Sequence, residues 1–223
     1  MSFFKISTSE ENVRDYNGNG GNFLNKSGMY EIIIKNVIAD VSPNGSQRIN
    51  LFIEYNGQDQ MIFNAMTLTK NDGTPASVGT AMFNKMAIVL GADENTEIED
   101  PVQMELPIGK GGEMKMCSVL EQFNDSPIII RLQMQYSLYD GKIQERKVIR
   151  NFFRVTDKAT ASEIVNNVDT KGSQYHTEEE YADKTDYQDN LTEEDIANWI
   201  KNGRTSVKED TKPTFGKRTF GKK

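Results

Sequence analysis

PIIIRLQMQYSLYDGKIQERKVIRNFFRV, residues 127–155, reads as two β-strands folded back on each other at Asp140-Gly141. Asp-Gly between two β-rich runs is a strong hairpin signal, because both central residues of the tight turn need positive φ. A turn there pairs Tyr139 with Lys142. Pairing then steps outward through Ser137–Gln144, Gln135–Arg146, Gln133–Val148, Arg131–Arg150 and Ile129–Phe152. Opposed residues share a face, and side chains alternate along each strand. One face holds Ile128, Ile130, Leu132, Met134, Tyr136 and Leu138 against Ile143, Ile149 and Phe153, and is a core face. The other gathers Arg131, Gln133, Gln135, Tyr139, Lys142, Arg146, Arg150, Phe152 and Arg154: five cations, two aromatics and no carboxylate.

Arg131 opposite Arg150 is unfavourable in isolation, since like charges across strands repel. A phosphate between them converts that repulsion into two charge-assisted bonds. Cations for a backbone and flat rings for bases are what single-stranded nucleic acid needs. The competing reading is a solvated outer face, which in an antiparallel hairpin is normally polar.

Working outward, Gly28–Val41 is β-branched and predicts a strand. Arg48–Tyr55 and Gln58–Met66 predict two more, joined by the hairpin signal Asn56-Gly57. On this hairpin Arg48, Asn50 and Phe52 share a face with Met61 and Phe63. Phe52 either stacks a base or faces the interior. In TAMFNKMAIVLG (80–91) the residues Met82, Phe83, Met86, Val89 and Leu90 recur at helical spacing, with Gly91 placed to end the helix. Val102–Leu106 and Met114–Leu120 predict strands around a Gly-rich turn. Short strands, Gly-rich turns and one intervening helix point to a mainly β fold, a small OB-like barrel over 28–156. Residues 1–27, with NGNGGN, read as a flexible entry.

Charge divides the chain. Residues 1–156 balance at −4, 157–210 at −8 and 211–223 at +5, for a net −7 over 223 residues. The region 157–223 therefore reads as a charged C-terminal arm. Two capping signatures, Thr160-x-x-Glu163 and Thr192-x-x-Asp195, predict short helices. The intervening DTKGSQYHTEEEYADKTDYQDN is polar and acidic, and is expected to be mostly disordered. In the second helix Ile196, Trp199 and Ile200 form one face that needs a docking surface, the body or a partner. The tip repeats Thr-Phe-Gly-Lys, so Phe215, Lys217 and Phe220 offer a second ring-and-cation patch; a solubilising tail is the other reading. The acidic arm is a candidate competitor for the basic face.

Catalytic signals are weak. GKGGEMK (109–115) lacks phosphate-loop spacing, and His176 sits among acids. One Cys and one His cannot build the common zinc sites, so no metal or cofactor is expected. The lone Cys117 cannot form an internal disulfide, and fits a reducing compartment. No apolar run is long enough for a bilayer span, and MSFFKISTSEENVR has no signal-like stretch.

The G-x-Y-E-I-x-I opening (28–34), the Asn-Gly hairpin, the helix MFNKMAIVLG and the basic hairpin ending VIRNFF (148–153) together resemble bacteriophage single-stranded DNA-binding proteins with an OB fold. The resemblance covers about residues 28–155. It implies a non-enzymatic protein of the host cytoplasm that coats single-stranded DNA during replication, recombination and repair. It also implies that the arm recruits replication or recombination proteins, through Ile196, Trp199 and Ile200 here, and it is compatible with a homo-oligomer. Tails of that family usually finish acidic, whereas this one finishes basic. Two alternatives remain: a β-sandwich interaction or virion protein that meets an acidic partner through the same face, and a small nucleic-acid enzyme or accessory factor.

Overall fold

The computed structural model describes residues 23–204 apart from Lys110; the predicted tip residues Phe215, Lys217 and Phe220 lie outside that range. The chain is mainly β. Strands β1 (Gly28–Val41), β2 (Gln47–Tyr55) and β3 (Gln58–Thr67) form an antiparallel meander. Helix α1 (Ser77–Val89) follows, and then the hairpin β4 (Val102–Leu106)–β5 (Lys115–Val119). The long hairpin β6 (Ser126–Tyr139)–β7 (Lys142–Phe153) comes next. Both two-residue turns use left-handed backbone, at Asn56 and Gly57 and at Asp140 and Gly141, as the sequence predicts.

β1 organises the sheet. One edge takes β2 over Ile33–Val41, and the other takes β6 over Gly28–Ile34. Beyond that, β5 pairs with Ile38 and Ala39. The β4–β5 hairpin thereby lies over the outer side of β1 and β2, burying Ile38 and Phe52 with Leu106, Cys117 and Val119. β3 touches β7, although no ladder joins them among the described pairings.

The main core lies between this sheet and α1. It joins Ile32, Ile34, Leu51, Ile53 and Ile62 to Ile128, Ile130, Leu132 and Phe152, and α1 adds Phe83, Met86 and Val89. α1 can approach β3 because Gly79 has no Cβ, which would fall 1.8 Å from the Thr67 carbonyl oxygen.

One bulge changes the long hairpin. Pairing runs as expected from Tyr139↔Lys142 to Gln133↔Val148 and Leu132↔Ile149. Arg131 then pairs with Asn151, so Arg150 is the extra residue. An inserted residue reverses the facing of everything beyond it. Phe152, expected on the basic face, is fully buried in the core, and Phe153 takes the outer face instead. Arg131 and Arg150 are not cross-strand partners.

The acidic arm, expected to be mostly disordered over 169–190, is folded against the hairpin. α2 (Ala161–Val165) starts with the capping box Thr160–Glu163 and adds Ala161 to the core. α3 (Ser173–Glu179) crosses the outer face, where Tyr175 meets Phe153 edge-on at 5.3 Å. β8 (Asp186–Tyr187) then pairs in parallel with Gln135 and Tyr136 of β6. α4 (Glu193–Lys201) reaches the core side, where Trp199 meets Tyr136 edge-on at 6.3 Å. The arm thus wraps the hairpin from one face to the other. Low apolar content does not prevent order here, because its carboxylates find cations and backbone donors on the sheet. At the other end Phe23–Ser27, expected to be flexible, are also anchored: Leu24 is fully buried, and its N–H donates to Gln60 Oε1 at 2.9 Å.

Candidate nucleic-acid interface

The predicted face divides into an open tip and a covered base. At the tip, the tight turn leaves Tyr139 68 % exposed, with its cross-strand neighbour Lys142 exposed beside it and Arg146, opposite Gln135, exposed farther down the same face. Neither cation has an ion-pair partner among the described residues, and Arg146 Nη2 donates only to Gln144 Oε1, at 3.3 Å. Asp140 occupies the turn itself. Asp189 approaches from the arm, and its Oδ2 accepts from the Leu138 N–H at 2.8 Å. A ring that shares a face with two free cations can stack a base while the cations hold phosphates.

At the base, the arm supplies the counter-charges. Arg131 Nη1 donates to Glu178 Oε2 at 3.1 Å, and its guanidinium lies 4.6 Å from the centre of the Tyr181 ring. Glu178 also accepts from Asn151 Nδ2 and Gln174 Nε2. Arg150 donates to Gln133 Oε1 at 2.6 Å and to Asp186 Oδ2 at 3.2 Å. Gln133 Nε2 donates in turn to the Lys184 carbonyl oxygen, and Gln135 Nε2 to Asp186 Oδ2. Arg154 forms a two-point pair with Asp157 at 2.9 and 2.6 Å. A face free of carboxylates in its own two strands is therefore neutralised at its base by an arm distant in sequence. A cavity of about 490 Å³ remains there, lined by Lys85, Arg131, Arg150, Ser162, Gln174 and Glu178 among others.

Ionisation follows these contacts. Burial pushes the Glu163 carboxyl up, but the backbone N–H groups of Thr160 and Gln174 and the hydroxyls of Ser173 and Thr160 hold it below its ordinary value. Asp157 is lowered chiefly by the Arg154 bond. Burial raises the Tyr136 phenol to about 12, helped by Glu145, which accepts its O–H. Burial also lowers Lys147.

Several predicted residues lie elsewhere. Phe52 is only 5 % exposed under the β4–β5 hairpin, with Lys35 Nζ 5.6 Å from its ring centre, so it is not available for stacking. Phe152 is interior. Arg48 stays near the surface, donating to Ser46 Oγ and Asn64 Oδ1. Ile196 and Trp199, expected to serve a partner, are buried against the chain's own hairpin, while Ile200 remains exposed. Arg204 extends this docking, donating to Glu145 Oε2 at 3.2 Å and lying over Trp199. Sequence reasoning missed Glu178 and Asp186 as partners of the arginines. The only available signal was the complementary charge of arm and face. No family model matches the chain, and no curated protein matches its sequence.

Proposed function

We propose that this chain is a single-stranded DNA-binding protein that holds DNA with little regard to sequence. The observation that carries this reading is the exposed Tyr139 ring on one face with Lys142 and Arg146, two cations without carboxylate partners among the described residues. The strand order β3-β2-β1-β6-β7, with β3 meeting β7 and α1 between β3 and the later strands, fits a five-stranded OB-like barrel. In that reading the long hairpin is a protruding binding loop. Coating of DNA in phage replication, recombination and repair follows from the family resemblance, as does recruitment of protein partners by the arm.

The arm competes with DNA in this proposal. Glu178 and Asp186 take the positions beside Arg131 and Arg150 that phosphates would otherwise take. Bound DNA contacts the tip first and gains the base only as the arm gives way.

Anisotropy titrations with single-stranded DNA, duplex DNA and RNA at two salt concentrations test the reading. The expected result is a preference for single strands that weakens with salt and falls sharply in Lys142→Ala/Arg146→Ala. Equal binding of duplex and single strands, or a double variant that binds like the parent, would overturn it.

A further inference from the structure

We infer that Phe63, on the outer side of β3, is a second base-stacking site of this chain, served by Arg48 and Lys70; the inference rests on the single-stranded DNA reading above. Ile62 is fully buried, whereas Phe63 is 63 % exposed in the middle of a strand. A large aromatic normally buries most of its surface, so exposure of this extent needs a cause. Alternation turns the ring away from the side of the buried Ile62, and the register that follows fixes it there. Leu51 pairs with Ile62, but Ile49 pairs with Met66, so Phe63, Asn64 and Ala65 together oppose the single residue Asn50. Asn64 takes left-handed backbone at φ 50°, and its N–H donates to Asn50 Oδ1 at 2.7 Å. The bulge is therefore tied down, and Phe63 is held outward.

The same asparagine orients a cation. Asn64 Oδ1 accepts from Arg48 Nη1 at 3.2 Å, and Ser46 Oγ accepts from Arg48 Nε at 3.1 Å. Arg48 and Lys70 form no ion pair among the described residues. Together they line a hollow of about 400 Å³ with Ser46, Thr67, Asn71 and Asp72. Asp72 is engaged locally, accepting from the Thr74 N–H and hydroxyl at 2.9 and 2.6 Å. Asp40 lies across the β1–β2 ladder from Arg48 without pairing to it. The hollow is joined to the ring through Arg48, which bonds Asn64, the residue next to Phe63. An apolar protein partner would use the ring but not the two cations. A nucleotide uses both, with its base on Phe63 and its phosphate at Arg48 and Lys70.

The test compares an oligothymidylate of about 15 nucleotides with an abasic strand of the same length, which keeps the phosphates and removes the rings. Binding to the full chain is read by anisotropy at low salt. Phe63→Ala is expected to weaken oligothymidylate binding about tenfold and to leave abasic binding unchanged. Phe63→Tyr should bind as the parent does, and Arg48→Ala should weaken both ligands. Phe63→Ala that binds oligothymidylate like the parent, or that loses both ligands equally, overturns this site. In the first of those cases the broader reading survives if Lys142→Ala/Arg146→Ala still loses binding. A parent chain that binds neither ligand ends both.

Discussion

The two ends of the β6–β7 hairpin carry the same residue types and meet different fates. At the base, Arg131 and Arg150 are each matched by an arm carboxylate, and Phe152 is sealed in the core. At the tip, Tyr139, Lys142 and Arg146 stand in solvent. The composition of a strand face states which chemistry is present. Whether that chemistry is free depends on what the rest of the chain lays over it. The base contacts also differ among themselves. The Arg131–Glu178 pair is largely buried and tied to further donors, so loss of one partner leaves an uncompensated charge. Arg150–Asp186 is about one-third exposed and adds little to stability.

The sharpest test of this contrast is stability. Phe152→Ala should destabilise the fold by about 3–5 kcal/mol, as expected for an emptied aromatic core site, whereas Tyr139→Ala should change it by less than about 0.5 kcal/mol. Urea unfolding measures both, and similar values for the two would erase the distinction between base and tip. Next, Glu178→Ala should cost about 3 kcal/mol by orphaning Arg131. The same change combined with Asp186→Ala should raise affinity for single-stranded DNA at low salt; unaltered affinity would remove the arm as a competitor.

At the tip, Tyr139→Ala should weaken single-stranded DNA by about 1–2 kcal/mol, and Tyr139→Phe should leave it unchanged. Lys142→Ala and Arg146→Ala should each flatten the log–log salt dependence by about 0.7.

The smallest effect is the acid response of the base. Glu163 and Asp157 ionise below their ordinary values in the folded chain. Their contribution is complete above the unfolded carboxylate value of about 4, and is lost as pH falls through the lower folded values. The urea midpoint, followed through the emission of the sole tryptophan, Trp199, should fall across that window, and fall less in Glu163→Gln. A Glu163→Gln profile that matches the parent would detach this carboxylate from the acid response.

Much of the fold was legible in the sequence because short-range physics decides it. The Asn56-Gly57 and Asp140-Gly141 turns, the extent of β1, the Val102–Leu106 strand and both capping boxes follow from conformational preferences of adjacent residues. The site was only half legible. Tyr139, Lys142 and Arg146 lie close to the turn, where register cannot drift. Phe152 lies beyond a bulge that no local signal announces, and the bulge exchanged it with Phe153. Phe52 and Phe63 share an alternating face, yet the β4–β5 hairpin covers one and leaves the other exposed.

From the order of residues alone came the strands, the turns, the charge division and the existence of a ring-and-cation surface, since each depends on neighbours within a few positions. Tertiary structure alone decided which of those rings and cations meet solvent. That outcome depends on irregularities in pairing and on long-range attraction between an acidic arm and one basic face of the sheet, and both act between residues far apart in the chain.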